Sequence, residues 1–113
     1  MTPLNRLKIK AVKIATAKKL EKNPFCVFCG MKATTAHHFI RQSRSNFLRV
    51  DMDNLIPICA KDHMKLHSGY EQIMTGELIK KYGINWFDRL QQDSNVTIKD
   101  NKTYWKSVIE KLK

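Results

Sequence analysis

All four histidines of this chain fall between positions 37 and 67, as the doublet His37-His38 and the pair His63 and His67, and the three cysteines at 26, 29 and 59 surround them. This grouping constrains the fold more than any other feature. A chain of 113 residues builds only a marginal apolar core, and a bound metal helps hold such a core together. Imidazoles scattered for packing would not gather in one short window. Cys26-Val27-Phe28-Cys29 has the spacing of tetrahedral thiolate coordination. Three cysteines cannot pair off completely, so the chain reads as reduced and intracellular rather than as a disulfide scaffold.

Length fits one domain, residues 1–113, in three parts: a basic helical arm (1–23), a chemical centre (24–69) and a helical extension (70–113). The arm holds Arg6, Lys8, Lys10, Lys13, Lys18, Lys19 and Lys22 against Glu21 alone. Within it Leu7, Ala11, Ile14, Ala15 and Lys18 follow a helical course, which predicts a helix with a narrow apolar stripe ending near Asn23-Pro24. In the centre, Arg41 to Asn46 reads as a polar loop between short strands, Leu55 to Cys59 as an apolar run ending in a knuckle, and Ala60 to Leu66 as a helix stopped by Ser68-Gly69. The order is β, β, α. Beyond it, Ile73, Leu78 and Ile79 form one apolar set, Gly83 a stop, and Trp86, Phe87 and Leu90 a second set. A last helix over Lys102 to Leu112 is capped by Asp100 or Asn101 and carries Trp105, Val108, Ile109 and Leu112 on one face. The aromatics read as core rather than as platforms for base stacking. The fold class is therefore α+β, a small ββα core with an N-terminal basic helix and C-terminal helices.

Lys and Arg outnumber Asp and Glu by 21 to 10, a formal charge of +11 that calls for a polyanionic partner, with nucleic acid first. A membrane surface ranks below it, because no large aromatic or leucine-rich face accompanies the basic helix. No apolar run approaches the roughly 20 residues of a membrane span, nor does a secretion-type stretch follow the basic N-terminus, so a soluble, cytoplasmic protein is expected.

His63 and His67, four residues apart on a helix, project from one face and can bind the same ion. A lone pair of this kind is commonly a surface feature. Here His37, on a strand or turn, can supply a third nitrogen and leave coordination open for water or a phosphate oxygen. Neighbouring strand residues face opposite ways, so His38 would point away from the ion and remain a free base. Asn54 has a task suited to an amide: holding the His-bearing strand through its backbone, or fixing the orientation of the base.

These residues resemble the HNH (ββα-metal) endonuclease superfamily over roughly residues 25–69, through Cys26-x2-Cys29, Ala36-His37-His38-Phe39, Asp53-Asn54-Leu55, Cys59 and His63-x3-His67. The resemblance implies that His37, His63 and His67 hold a catalytic ion, that His38 is the general base and that Asn54 supports the active loop. It further implies hydrolysis of DNA to 5′-phosphate and 3′-hydroxyl ends. Mg²⁺, Mn²⁺, Ni²⁺ or Zn²⁺ would fit, with three imidazoles favouring transition metals and Zn²⁺. The His-His-Phe-Ile-Arg stretch, with Lys81-Tyr82-Gly83 and Trp86, also resembles phage recombination nucleases of the NinG type, which implies a role in phage DNA recombination or processing. Many relatives carry a second Cys-x2-Cys before the helical histidine, completing a structural zinc site. This chain has Cys59 but Asp62 in the fourth position. Three outcomes stay open: a Cys3Asp site from Cys26, Cys29, Cys59 and Asp62; a Cys3His site that recruits His63; or a weak or empty site with buried thiols.

Arg41, Arg44 and Arg49 would clamp phosphates flanking the scissile bond, and Lys8, Lys10 and Lys13 of the arm would add salt-sensitive affinity. No base-reading element is evident, so nicking of low sequence specificity is expected, by a monomer or a homodimer. RNA remains a possible substrate beside DNA. The competing reading is a zinc-ribbon module that binds nucleic acid without cutting it.

Overall fold

Thr2 and Pro3 start the first helix, as the side-chain oxygen of Thr2 accepts from the Asn5 backbone N–H at 3.1 Å and proline takes the first turn, where its missing donor costs nothing. A computed structural model describes all 113 residues and is α+β, with five helices and one two-stranded antiparallel sheet. The elements run α1 (Pro3–Lys22), β1 (Thr35–His38), β2 (Leu55–Ile58), α2 (Ala60–Leu66), α3 (Glu71–Tyr82), α4 (Ile84–Asp93) and α5 (Lys102–Leu112). No helix is long and apolar enough to cross a membrane.

The arm is a packed helix rather than a free one. Ala11 and Ala15, one turn apart and fully buried, let α1 approach two neighbours closely. Ala11 meets Trp105 and Ile109 of α5, whereas Ala15 meets Ala36 and Leu55 of the sheet. Asp100 fastens the first of these contacts. One of its oxygens accepts from the Trp105 indole at 2.8 Å and the other from Lys8 Nζ at 2.6 Å, which holds the carboxyl below its ordinary range. The cap of α5 falls to the neighbouring residue, as Asn101 Oδ1 accepts from the Tyr104 N–H.

The sheet has two working faces. Its register pairs Thr35 with Ile58, Ala36 with Pro57, His37 with Ile56 and His38 with Leu55. Ala36 and Leu55 pack against α1. Ile58 packs the other way, with Cys26, Cys59, Leu66 and Met74. Strand alternation then sends His37 and His38 to opposite faces. The apolar interior is divided into small clusters, and the one under α2 and α3 is completed by cysteines rather than by larger hydrophobes.

Two departures from the sequence reading concern phase and local turns. On α3 the buried positions are Met74 and Leu78, while Ile73 is 63% exposed. Leu78 is buried as expected, but Met74 rather than Ile73 is the inward residue one turn before it, because the neighbouring helix α2 and the cysteine knuckle lie on that side. The segment between the strands contains two 3₁₀ turns, Phe47–Val50 and Met52–Asn54. Ser45 is buried there, and its hydroxyl accepts from the Leu48 N–H. Between α3 and α4, Gly83 adopts φ 97°, a left-handed conformation that disfavours any side chain, so the chain turns without an intervening loop.

Candidate functional site

The sheet and α2 bring His37, His63 and His67 together. Their ring nitrogens lie within 4.8 Å of one another, and the Nε2 atoms of His63 and His67 are 3.2 Å apart. Two metal–nitrogen bonds of ordinary length at a tetrahedral angle separate their nitrogens by about 3.3 Å. The donor set therefore fits a divalent ion. Burial, followed by the proximity of His63 and His67, draws the pKa of His37 down to about 4, and burial also lowers that of His63. Neutral imidazoles with available lone pairs are what a cation requires.

His38 lies outside this group. Its Nε2 sits 2.8 Å from the Arg49 carbonyl oxygen, which can only accept, so Nε2 carries the proton and Nδ1 keeps a free lone pair. Burial lowers the pKa of His38 against the raising effect of that hydrogen bond. Asn54, fully buried, fixes the surrounding chain. Its Oδ1 accepts from the Ile40 N–H at 2.7 Å, and its Nδ2 donates to the carbonyls of Ile40 at 3.0 Å and Leu48 at 3.1 Å. The amide thus ties the exit of β1 to Leu48 in the 3₁₀ turn, and the next residue of that turn, Arg49, orients His38. Asn54→Ala would strand three buried backbone groups, each worth about 1–3 kcal/mol. Urea unfolding should show a loss of about 3 kcal/mol or more, and a loss below about 1 kcal/mol would remove Asn54 from this role.

A second donor set forms behind α2. Cys26, Cys29, Cys59 and Asp62 each offer one atom, all within 4.8 Å. Cys26 Sγ and Cys59 Sγ lie 3.2 and 3.4 Å from Asp62 Oδ2, and Cys29 Sγ lies 3.7 Å from Cys59 Sγ. Two zinc–sulfur bonds at the tetrahedral angle set sulfurs about 3.8 Å apart, so these three sulfurs and one carboxylate fit Zn²⁺. Of the three arrangements open from sequence, the geometry matches Cys3Asp: His63 is turned toward His37 and His67. The knuckle is built by Gly30 at φ 77°, whose N–H donates to the Cys26 carbonyl, and by the Val27 N–H, which donates to the Pro57 carbonyl and ties it to β2. Burial raises the pKa of Asp62, but the three thiols outweigh it and the net shift is downward. A hydrogen bond from the Met31 backbone lowers that of Cys29, yet Asp62 and the other thiols push it up to about 12. A bound cation reverses that last effect by stabilising thiolate.

No family model, curated protein or solved structure matches this chain.

His37, His38 and His63 open onto a cleft of about 410 Å³ walled by Ala36, Arg41, Gln42 and Ser43. Arg41 is largely exposed, and its contact with Glu71 at 4.0 Å is loose, leaving the guanidinium available to an anion in the cleft. Arg44 is exposed nearby in the chain but lines a different recess, with Asn95 and Thr97. Arg49 is occupied: Nε donates to Asn46 and Nη1 to Gln42. Lys8 is likewise occupied by Asp100, with its side chain 12% exposed, whereas Lys10 and Lys13 are exposed.

Sequence reading did not single out Arg89. Its guanidinium bridges both oxygens of Asp51, at 2.9 and 3.2 Å, and also reaches Asp53 and Asp93. Trp86 adds an indole hydrogen bond to the Asp53 carbonyl. Together they pin α4 to the turn that delivers Asn54. The Arg89-Asp93 spacing was the only local signal for this clamp, since the rest spans more than thirty residues.

Proposed function

We propose that the chain is a metal-dependent endonuclease that hydrolyses DNA phosphodiester bonds, with residues 24–69 forming a ββα-metal core of the HNH type. The observation that carries the reading is the convergence of three imidazole nitrogens beside a fourth imidazole whose proton is fixed on the far nitrogen. His37, His63 and His67 would hold a divalent ion. When bound, such an ion supplies positive charge that stabilises a phosphoryl group under attack. His38 Nδ1 takes the proton of the attacking water, and the Arg49 carbonyl keeps the imidazole oriented while positive charge builds on it. Arg41, at the wall of the cleft, steadies the phosphate by charge. Asn54 and the Arg89 clamp maintain this alignment without touching substrate.

A supercoiled plasmid incubated with Mg²⁺, Mn²⁺, Ni²⁺ or Zn²⁺ tests the proposal. Nicked circles bearing 5′-phosphate ends are expected, and His67→Ala should weaken binding of the activating ion by more than the roughly 10–100-fold lost when a residue that only orients a ligand is removed. RNA digested in parallel distinguishes the two nucleic acids. If none of the four ions supports nicking while DNA affinity persists, the non-catalytic zinc-ribbon reading replaces this one.

A further inference from the structure

The basic charge is concentrated in one structural unit. Residues 1–22 and 99–113 carry twelve Lys and Arg against Glu21, Asp100 and Glu110, which is nine of the eleven net positive charges. These two segments contain α1 and α5, whose apolar stripes pack against each other through Ala11, Trp105 and Ile109. With those stripes consumed, Arg6, Lys10 and Lys13 of α1 and Lys102, Lys106 and Lys111 of α5 are left exposed. The cleft is lined by residues of β1, the loop after it and α2, and by none of α1 or α5.

We infer that the α1–α5 pair is a separate docking face for the phosphate backbone of duplex nucleic acid, one that grips it outside the cleft. This rests on the nuclease reading for its purpose but not for its existence. At 20 residues, α1 is about 30 Å long, the rise of roughly nine base pairs. Lysines presented on packed helices suit a regular array of phosphates, and their contribution is electrostatic and independent of sequence. An anionic bilayer fits less well. Binding in that plane needs an apolar face to insert, and of the large hydrophobes on the pair only Met1 and Ile9 are exposed.

The experiment compares the wild-type chain, the triple variant Lys102→Gln, Lys106→Gln, Lys111→Gln, and a control variant Lys80→Gln, Lys81→Gln on α3. Each is checked for an unchanged melting temperature. Binding of a fluorescent 30-base-pair duplex is measured by anisotropy between 50 and 200 mM salt without added divalent ion. The triple variant should flatten the plot of log affinity against log salt by about 2 to 3 units, and the control by less than one. Equal effects of the two variants, or none, would overturn the inference. So would wild-type binding to phosphatidylserine vesicles without binding to the duplex. Hydrolysis of bis(p-nitrophenyl) phosphate by the wild type, with Mn²⁺, reports on the cleft alone. If that activity is absent while the triple variant still loses duplex affinity, the nuclease reading falls and the docking face stands.

Discussion

Replacing His38 by alanine is expected to slow plasmid nicking by about 10²–10⁴-fold, the usual contribution of a positioned general base. Zinc content and the dissociation constant of the activating ion should stay near wild type, because His38 belongs to neither donor set. That combination separates a base from a ligand. Loss of a ligand such as His37 would weaken metal binding, and raising the ion concentration would restore part of the rate. Raising it should do nothing for His38→Ala. The substitution removes one hydrogen bond, to the Arg49 carbonyl, at a partly buried position, so a modest stability loss of about 0.5–1.5 kcal/mol accompanies it. A variant that nicks as fast as wild type would mean that another group accepts the proton, and the role assigned to Nδ1 would be withdrawn.

The α+β class and the order of its elements were legible because each signal is local. Cys26 and Cys29 sit on one knuckle, His63 and His67 on one helical face, and Ser68-Gly69 and Gly83 mark helix ends within a few residues. What the sequence left hidden depends on partners far apart in the chain. Asn54 reaches 14 residues back to Ile40, Arg89 reaches 38 to Asp51, and Lys8 reaches 92 to Asp100. The last case matters for function: a lysine that looks like part of a free basic arm is already neutralised. Arg49, expected to clamp phosphate, repeats the lesson, since Gln42 and Asn46 of the polar loop accept its hydrogen bonds. Charge composition raises an expectation about the class of partner, but only the fold tells which charges remain free to meet one. Met74 on α3 was missed for a similar reason, although Leu78 was read as apolar and is buried. Ile73 and Met74 are both apolar, and the choice between them is made by α2 and the knuckle, not by α3.

Removing metal from the cysteine cluster is expected to have the largest effect on stability. Structural zinc in small modules carries about 10–16 kcal/mol of binding free energy at neutral pH, comparable to the whole stability of a domain this size. The purified protein should retain close to one zinc through dialysis, and Cys26→Ser or Cys59→Ser should lose it and melt at least about 10 °C lower. Asp62 gives the sharper test, because the cluster uses a hard oxygen where sulfur would bind zinc more softly. Asp62→Ala leaves three sulfurs and should weaken zinc retention against a competing chelator. Asp62→Cys should strengthen it. The consequences reach the cleft through α2, whose first turn contains Asp62 and whose cap is Cys59, with Sγ accepting from the Asp62 N–H at 3.4 Å. His63 is the next residue along that helix, so a frayed first turn spreads the three imidazoles apart. Zinc-depleted protein should therefore bind the activating ion more weakly even though none of its histidines has changed. Unchanged zinc stoichiometry in Cys59→Ser, or a melting temperature insensitive to chelation, would show that the four donors pack without a cation and that α2 is held by its apolar contacts with Ile58 and Met74 instead.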